Sequence, residues 1–298
     1  MKKCTIIVPA SSANIGPGFD SLGMAINRYL TLEVSKQPHW EFEQRSPFLP
    51  AFTSYEEHFI YQVALQVATT YQRVLPPCKV VVDSDIPLAR GLGSSASAVI
   101  AGIELANQCC RLALTMEDKV QLATEIEGHP DNVTPALIGG FVITAKTNPE
   151  QIEYLKTPPL DLDIVLSIPT TELKTDDSRH VLPAKFTGDQ AASASSICNV
   201  MIASLLTGHY ELAGKMMEKD LFHEPYRAAL IPNYQQIKDR AKQLGAYGTV
   251  ISGAGPSMIS FVPKGAGETI ANKLQVILPE YDVAALHMDQ QGLQANVQ

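Results

Sequence analysis

Two hydrophobic periods alternate along the chain, and they divide it into strands and helices. Short apolar or β-branched runs near 4–8 and 29–35, and again in "CKVVVD" at 78–83, predict strands. Residues 54–74 instead repeat every four, with Phe59, Val63 and Val67 on one face. Ser54 and Glu57 stand three apart ahead of them, as in a capping box, so the spacing predicts a helix. Residues 95–111 are apolar nearly all round, which predicts a buried helix. A third helix opens at Thr115, with Asp118 at the matching box position, and closes at Gly128.

The pattern changes after the Pro-rich "LKTPPLDLD", and a boundary near residue 160 divides the chain into units 1–160 and 161–298. Beyond it the periods predict a strand at 163–168, helices at 189–207 and 209–220, and a helix from Asn233 to Leu244 closed by Gly245. Strands at 247–252 and 258–262, a helix at 267–278 and a strand at 281–287 follow. Without the extra helices this order is β-α-β-β-α-β, the split ferredoxin-like arrangement. A length of 298 residues suits two such units with a cleft between them.

Composition narrows the functional classes. At 45% hydrophobic and 18% charged the chain is that of a globular protein, with no apolar run of the length a bilayer span needs. The start "MKKCTIIVPASSA" imitates a signal peptide, but its apolar stretch stops at Pro9 and reads as a first strand. Cys4, Cys78, Cys109, Cys110 and Cys198 have no metal-ligand spacing and predict reduced thiols in a cytoplasmic protein. The 23 basic and 31 acidic side chains give a net charge of −8, and the basic ones do not cluster, so no nucleic-acid partner is expected. An anionic small ligand would depend on local devices: backbone amides, a metal ion or a few aimed arginines.

Three segments and two separate arginines carry candidate chemistry. "PLARGLGSSASA", 87–98, follows a strand and opens a helix, where free amide hydrogens can meet an anion. Gly91 and Gly93 would let the main chain take positive φ and approach phosphate, although the same pair also serves a plain tight turn. No Walker lysine pattern, "HRD", "DFG" or G-x-G-x-x-G after the first strand competes with it. In "EIEGHPDN", 125–132, Glu127 occupies the last turn of its helix, an electrostatic cost of about 0.3–1 kcal/mol that Mg²⁺ could offset. A solvated helix end is the plainer reading, and His129 before Pro130 reads as a turn histidine. "VPASSANIGPGFDSLG", 8–23, is a polar, glycine-punctuated loop in which Asn14 offers an amide and Asp20 a carboxylate for an ammonium group, or an Asx turn. Arg179 and Arg227 each lie beside prolines; their planar forks suit a carboxylate, or lie at the surface.

Together these segments resemble the GHMP small-molecule kinases (galactokinase, homoserine kinase, mevalonate kinase, phosphomevalonate kinase), and within them the homoserine kinase branch. P-x-x-x-G-L-G-S-S-A is unbroken from Pro87 to Ala96. "NIGPGFDSLG" and "HPDNVTPAL" look like the branch's first and second blocks, and "SGAGPS" at 252–257 resembles the C-terminal glycine turn. The resemblance implies an α+β fold of two domains, an N-terminal one like ribosomal protein S5 and a ferredoxin-like C-terminal one. It implies ATP-dependent phosphorylation of the side-chain hydroxyl of L-homoserine, on the way to threonine; a homodimer is the default expected of such an enzyme. Pro87, Leu88, Ala89, Arg90, Gly91, Leu92, Gly93, Ser94, Ser95, Ala96 and Ser97 would cradle the phosphates, with Ser95 and Glu127 on Mg²⁺. Asn14 and Asp20 would meet the substrate's hydroxyl and amine, Arg179 and Arg227 its carboxylate, and Asn132 the reacting oxygen. Asp131 is the candidate general base, against direct proton loss to phosphate. Side chains around Tyr61 and Gln62 are candidates for the adenine ring. A mevalonate-like hydroxyl substrate and a non-catalytic nucleotide sensor are the competing readings. Only Gly128 separates Glu127 from His129, where some homoserine kinases carry more residues.

Overall fold

The computed structural model describes residues 3–148 and 151–297. In chain order the first part contains β1 (Cys4–Ala13), β2 (Leu22–Lys36), β3 (Glu41–Gln44), α1 (Phe59–Thr70), β4 (Cys78–Ser84), α2 (Ser94–Cys110), α3 (Met116–Glu127), α4 (Pro130–Ile138), β5 (Phe141–Asn148) and β6 (Gln151–Lys156). The second contains β7 (Leu162–Pro169), α5 (Thr175–His180), α6 (Gly188–Leu206), α7 (Tyr210–Met217), α8 (Glu224–Arg227), α9 (Tyr234–Gln243), β8 (Gly248–Ile251), β9 (Met258–Pro263), α10 (Gly267–Ile277), β10 (Tyr281–Leu286) and β11 (Gln294–Val297).

The first sheet runs β11-β1-β2-β4-β3, with β5 and β6 joined through the opposite end of the long β2. Its pairs are antiparallel except β3 with β4. Helix α2 lies at its centre. Ala96, Val99, Ile100, Ala101, Ile103, Leu105 and Ala106 are all buried, as an apolar surface all round requires. Helix α3 begins and ends where its caps dictate. Thr115 accepts from the Asp118 amide, Asp118 reaches back to the Thr115 amide, and Gly128 takes φ of 92°.

The second sheet runs β10-β7-β9-β8, antiparallel throughout, which is the ferredoxin-like order of strands four, one, three and two. Strand β7, "LDIVLSIP", is buried on both faces. Leu162, Ile164, Leu166 and Ile168 join the core of the first sheet, while Val165 joins a separate cluster with Ile237, Ile270 and Leu274 from α9 and α10. One core therefore continues from the first sheet onto the inner face of the second. Strand β11 returns from the end of the chain to pair with β1. Among the described residues no helix is long and apolar enough to cross a membrane, and no two cysteines form a disulfide.

The structure corrects several sequence expectations. Ser54 and Glu57 do not cap α1: Ser54 caps a single 3₁₀ turn, Tyr55–Glu57, and Glu57 accepts instead from Thr53. Helix α1 starts after His58, and its buried face is Ile60, Val63, Ala64 and Val67, with Phe59 turned outward at 45% exposure. The loop expected over 8–23 is strand as far as Ala13. The turn expected at His129–Asn132 opens α4, with Pro130 in the first turn, where its missing N–H costs nothing.

Candidate active site

The loop between β4 and α2 takes its shape from two left-handed glycines, Gly91 at φ 72° and Gly93 at φ 65°. Gly93 is the N-cap of α2 and supplies no capping side chain, which leaves the first-turn amides of a 17-residue helix available to an anion. The loop is locked from behind by the glycine turn after β8. Ser252 Oγ donates to the Gly91 carbonyl at 2.7 Å, and a Cβ on Gly91 would lie 2.2 Å from the Ser252 carbonyl oxygen. The same turn holds the segment after β1: the Gly253 amide donates to Ala13 and Asn14 Nδ2 donates to the Gly253 carbonyl at 2.8 Å.

Beside the amides, Ser95 Oγ donates to Glu127 Oε2 at 2.9 Å. Burial pushes the Glu127 carboxyl above its ordinary range; the Ser95 bond and His129 pull it back, while Asp131 adds to the rise. Asp131 is buried at 2% exposure, and its Oδ1 lies 2.7 Å from His129 Nδ1. Burial lowers the His129 pKa, but the bond to Asp131 and the charges of Asp131 and Glu127 outweigh it, and the net shift is upward. Asn132 Oδ1 accepts from Ser11 Oγ at 2.9 Å.

Across the cleft, Asp20 sits at φ 54° with its amide donated to Asn14 Oδ1. Arg179 meets it as a fork, Nη2 to Oδ1 at 2.9 Å and Nη1 to Oδ2 at 3.4 Å. Arg227 is 1% exposed; it donates to the carbonyls of Ser178 and Gly253. Burial lowers its pKa to about 10, and the like charge of Arg179 adds to the fall. Phe19 lies under both guanidiniums, 5.7 Å from Arg179 and 5.4 Å from Arg227.

The fold gathers Asn14, Asp20, Ala89, Gly91, Leu92, Gly93, Ser94, Ser95, Glu127, Asp131, Asn132, Arg179 and Arg227 around this one cleft. Five expected loop residues do not line it. Pro87, Ala96 and Ser97 are buried, Leu88 faces the neighbouring apolar space, and the Arg90 guanidinium turns away to the carbonyls of Leu88, Pro169 and Thr170. Tyr61 and Gln62 face a separate groove with Leu65 and Thr69. The apolar space next to the loop is a cavity of about 490 Å³ walled by Leu30, Phe52, His58, Ile60, Ile86 and Leu88, which also reaches Ser94 and Ser95. Burial holds His58 there at a pKa of about 4, so it is neutral. The residues that sequence reasoning left without a role are Ser11, Phe19, His129 and Ser252. All four lie within or beside quoted motifs, which was the available signal.

An amide-lined helix start thus faces a carboxylate with a hydroxyl, and one acid faces two guanidiniums in the same cleft. The sequence profile of the GHMP kinases N terminal domain matches residues 58–140, and that of the GHMP kinases C terminal matches residues 201–276. A homoserine kinase of Oceanobacillus iheyensis is 50% identical over 290 residues, covering 97% of each chain. The crystal structure of a homoserine kinase from Cytophaga hutchinsonii superposes with a TM-score of 0.83 at 28% identity, over 99% of this chain and 98% of that one. A mevalonate kinase from L. major shares the fold at a TM-score of 0.74 and 17% identity, over 96% and 95%. Fold alone therefore does not choose among the kinases, whereas identity over the whole length does: the chain belongs to the homoserine kinase branch of the GHMP kinases.

Proposed function

We infer that this chain transfers the terminal phosphoryl group of ATP to the side-chain hydroxyl of L-homoserine, giving O-phospho-L-homoserine and ADP. The observation that carries the reading is the pairing, in one cleft, of a zwitterion's complement with an anion-binding helix start. In the free protein Arg179 and Asp20 satisfy each other. An incoming amino acid can replace both halves of that pair, its ammonium taking Asp20 and its carboxylate taking Arg179 and the buried Arg227. Asn14 would orient the hydroxyl end, and Asn132, steadied by Ser11, would lie near the reacting oxygen. A substrate without an amine would leave Asp20 uncompensated, which argues against a mevalonate-like ligand.

The triphosphate would rest on the amides of the loop from Ala89 to Ser95. The adenine would enter the apolar cavity, with neutral His58 at its wall, rather than the groove beside Tyr61. The residues present also fit Mg²⁺. Among the described residues no group of three His, Cys, Asp or Glu could hold a metal. Mg²⁺ does not need one, since it takes one or two protein oxygens and completes its shell with phosphate and water. Glu127 and Ser95 would supply those oxygens, since the Ser95 hydroxyl and the Glu127 carboxylate already stand 2.9 Å apart beside the loop amides. Bound there, the ion would neutralise charge on the phosphate oxygens during transfer. We assign proton acceptance to Asp131, in concert with the bonded His129. Transfer through a loose transition state depends more on positioning than on a strong base. The division near residue 160, with β11 as a return to the first sheet, and a homodimeric cytoplasmic enzyme belong to the same proposal.

A coupled ADP-release assay across L-homoserine, mevalonate and galactose tests the reading. Turnover confined to homoserine is the expected result. Equal or faster turnover with mevalonate, or none with any of the three, would refute it.

A further inference from the structure

The family's loop motif sets Arg90 among residues facing phosphate, yet the side chain does something else. Its Nε donates to the Pro169 carbonyl at 2.9 Å and its Nη1 to the Leu88 carbonyl at 3.0 Å, and its Nη2 donates to the Thr170 carbonyl. Glu172 lies 3.5 Å from Nη1. The side chain is 13% exposed and does not line the cleft. Its partners are the last residue of β7 and the start of the segment that leads to α5. The Leu173 amide adds a fourth link, donating to the Ala89 carbonyl at 3.0 Å.

That segment is pinned at its far end as well. Ser178 is fully buried; its Oγ donates to the Ala254 carbonyl at 2.7 Å and its carbonyl accepts from Arg227 Nε. Arg179 is the next residue. Residues 169–179 therefore form a strap, tied to the nucleotide loop by Arg90 and to the glycine turn by Ser178, that carries Arg179 over the cleft. A helix as short as α5 has little stability of its own, so its placement depends on these ties.

We propose that Arg90 is a positioning residue for the amino-acid substrate: by clamping the strap to the nucleotide loop its side chain sets where Arg179 stands, and that side chain touches neither ligand. The inference rests on the reading of Arg179 as a ligand of the homoserine carboxylate. It gives the arginine of the loop a task that only a forked donor can perform, because three carbonyls must be reached at once. Lysine would keep the charge and lose the fork.

The test is calorimetric titration of L-homoserine into wild type, Arg90→Ala and Arg90→Lys, with and without a non-hydrolysable ATP analogue and Mg²⁺, alongside steady-state KM values. Thermal melts show which variants are folded, and Arg90→Lys, which keeps the stem and the charge but not the fork, serves if alanine unfolds the protein. The proposal predicts that homoserine binds about tenfold more weakly or worse in both variants, while KM for ATP changes by less than about threefold, well short of a lost charged contact. A change confined to ATP and rescued by lysine would make Arg90 a phosphate ligand and overturn the proposal. So would homoserine affinity within twofold of wild type. A wild-type protein that does not bind L-homoserine would instead overturn the functional reading itself.

Discussion

Glu127 occupies a place that a lone carboxylate disfavours, at the C-terminal end of α3 and half-buried. Burial raises its pKa, so in the free protein the charged form carries a penalty that is full above the raised folded value and absent below the ordinary value of 4.5. Glu127→Gln keeps the bond from Ser95 and removes the charge. In ligand-free protein at neutral pH the melting temperature should rise by about 2 °C, and the gain should vanish on acidification below the unfolded pKa. At saturating Mg²⁺ kcat should fall by about 10²-fold. A lower melting temperature together with near-normal turnover would mean that Glu127 is a structural residue and the metal lies elsewhere. The motif made Glu127 legible as a candidate. It could not reveal the partner of Asp20, because Arg179 lies 159 residues away and their pairing depends on the strap.

At the scale of elements, the loop before α2 is built from main chain, and its glycines are set by what lies behind them. A Cβ on Gly91 would lie 2.2 Å from the Ser252 carbonyl oxygen and 2.8 Å from that of Gly255, whereas one on Gly128, also left-handed, would meet nothing within 4 Å. Gly91→Ala should therefore destabilise the protein by about 2 kcal/mol or more, and Gly128→Ala by about 1 kcal/mol, the ordinary left-handed cost. Chemical denaturation curves check the order, and equal losses would mean that the glycine turn yields to the added methyl. Helix α3 was legible because caps and periodicity agreed, α2 because its long apolar run follows a glycine loop, and the strands of the second sheet because their apolar runs are short. The far half of β1 was not, because Ser11 and Ser12 are polar yet fully buried, satisfied by Asn132 and Ser252 from distant segments. Helix α4 was hidden by Pro130, which reads as a breaker unless it is placed in a first turn. Strand β11 is short and polar, and only its pairing with β1 makes it a strand.

At the scale of the molecule, the cleft lies where segments of both sheets interlock. The turn after β8 binds the loop before α2 and the segment after β1, and the strap after β7 crosses to the same loop. Both ligands would thus be gripped by parts of each half of the chain, which accords with a core that continues between the sheets. The sequence pattern pointed to a cleft but could not foretell that shared core, since β7 reads only as a continuous apolar run.

The central claim is that main-chain amides at the start of α2 hold a triphosphate while Asp20 and the two arginines hold a zwitterion beside it. A co-crystal structure with a non-hydrolysable ATP analogue, Mg²⁺ and L-homoserine measures this directly. The predicted result has phosphate oxygens on the amides of Ser94 and Ser95, the ammonium on Asp20 in place of Arg179, and the hydroxyl turned toward the terminal phosphate. Nucleotide bound in another cavity with the Gly91–Ser95 loop bare, or an amino acid bound with the Asp20–Arg179 pair intact, would contradict it.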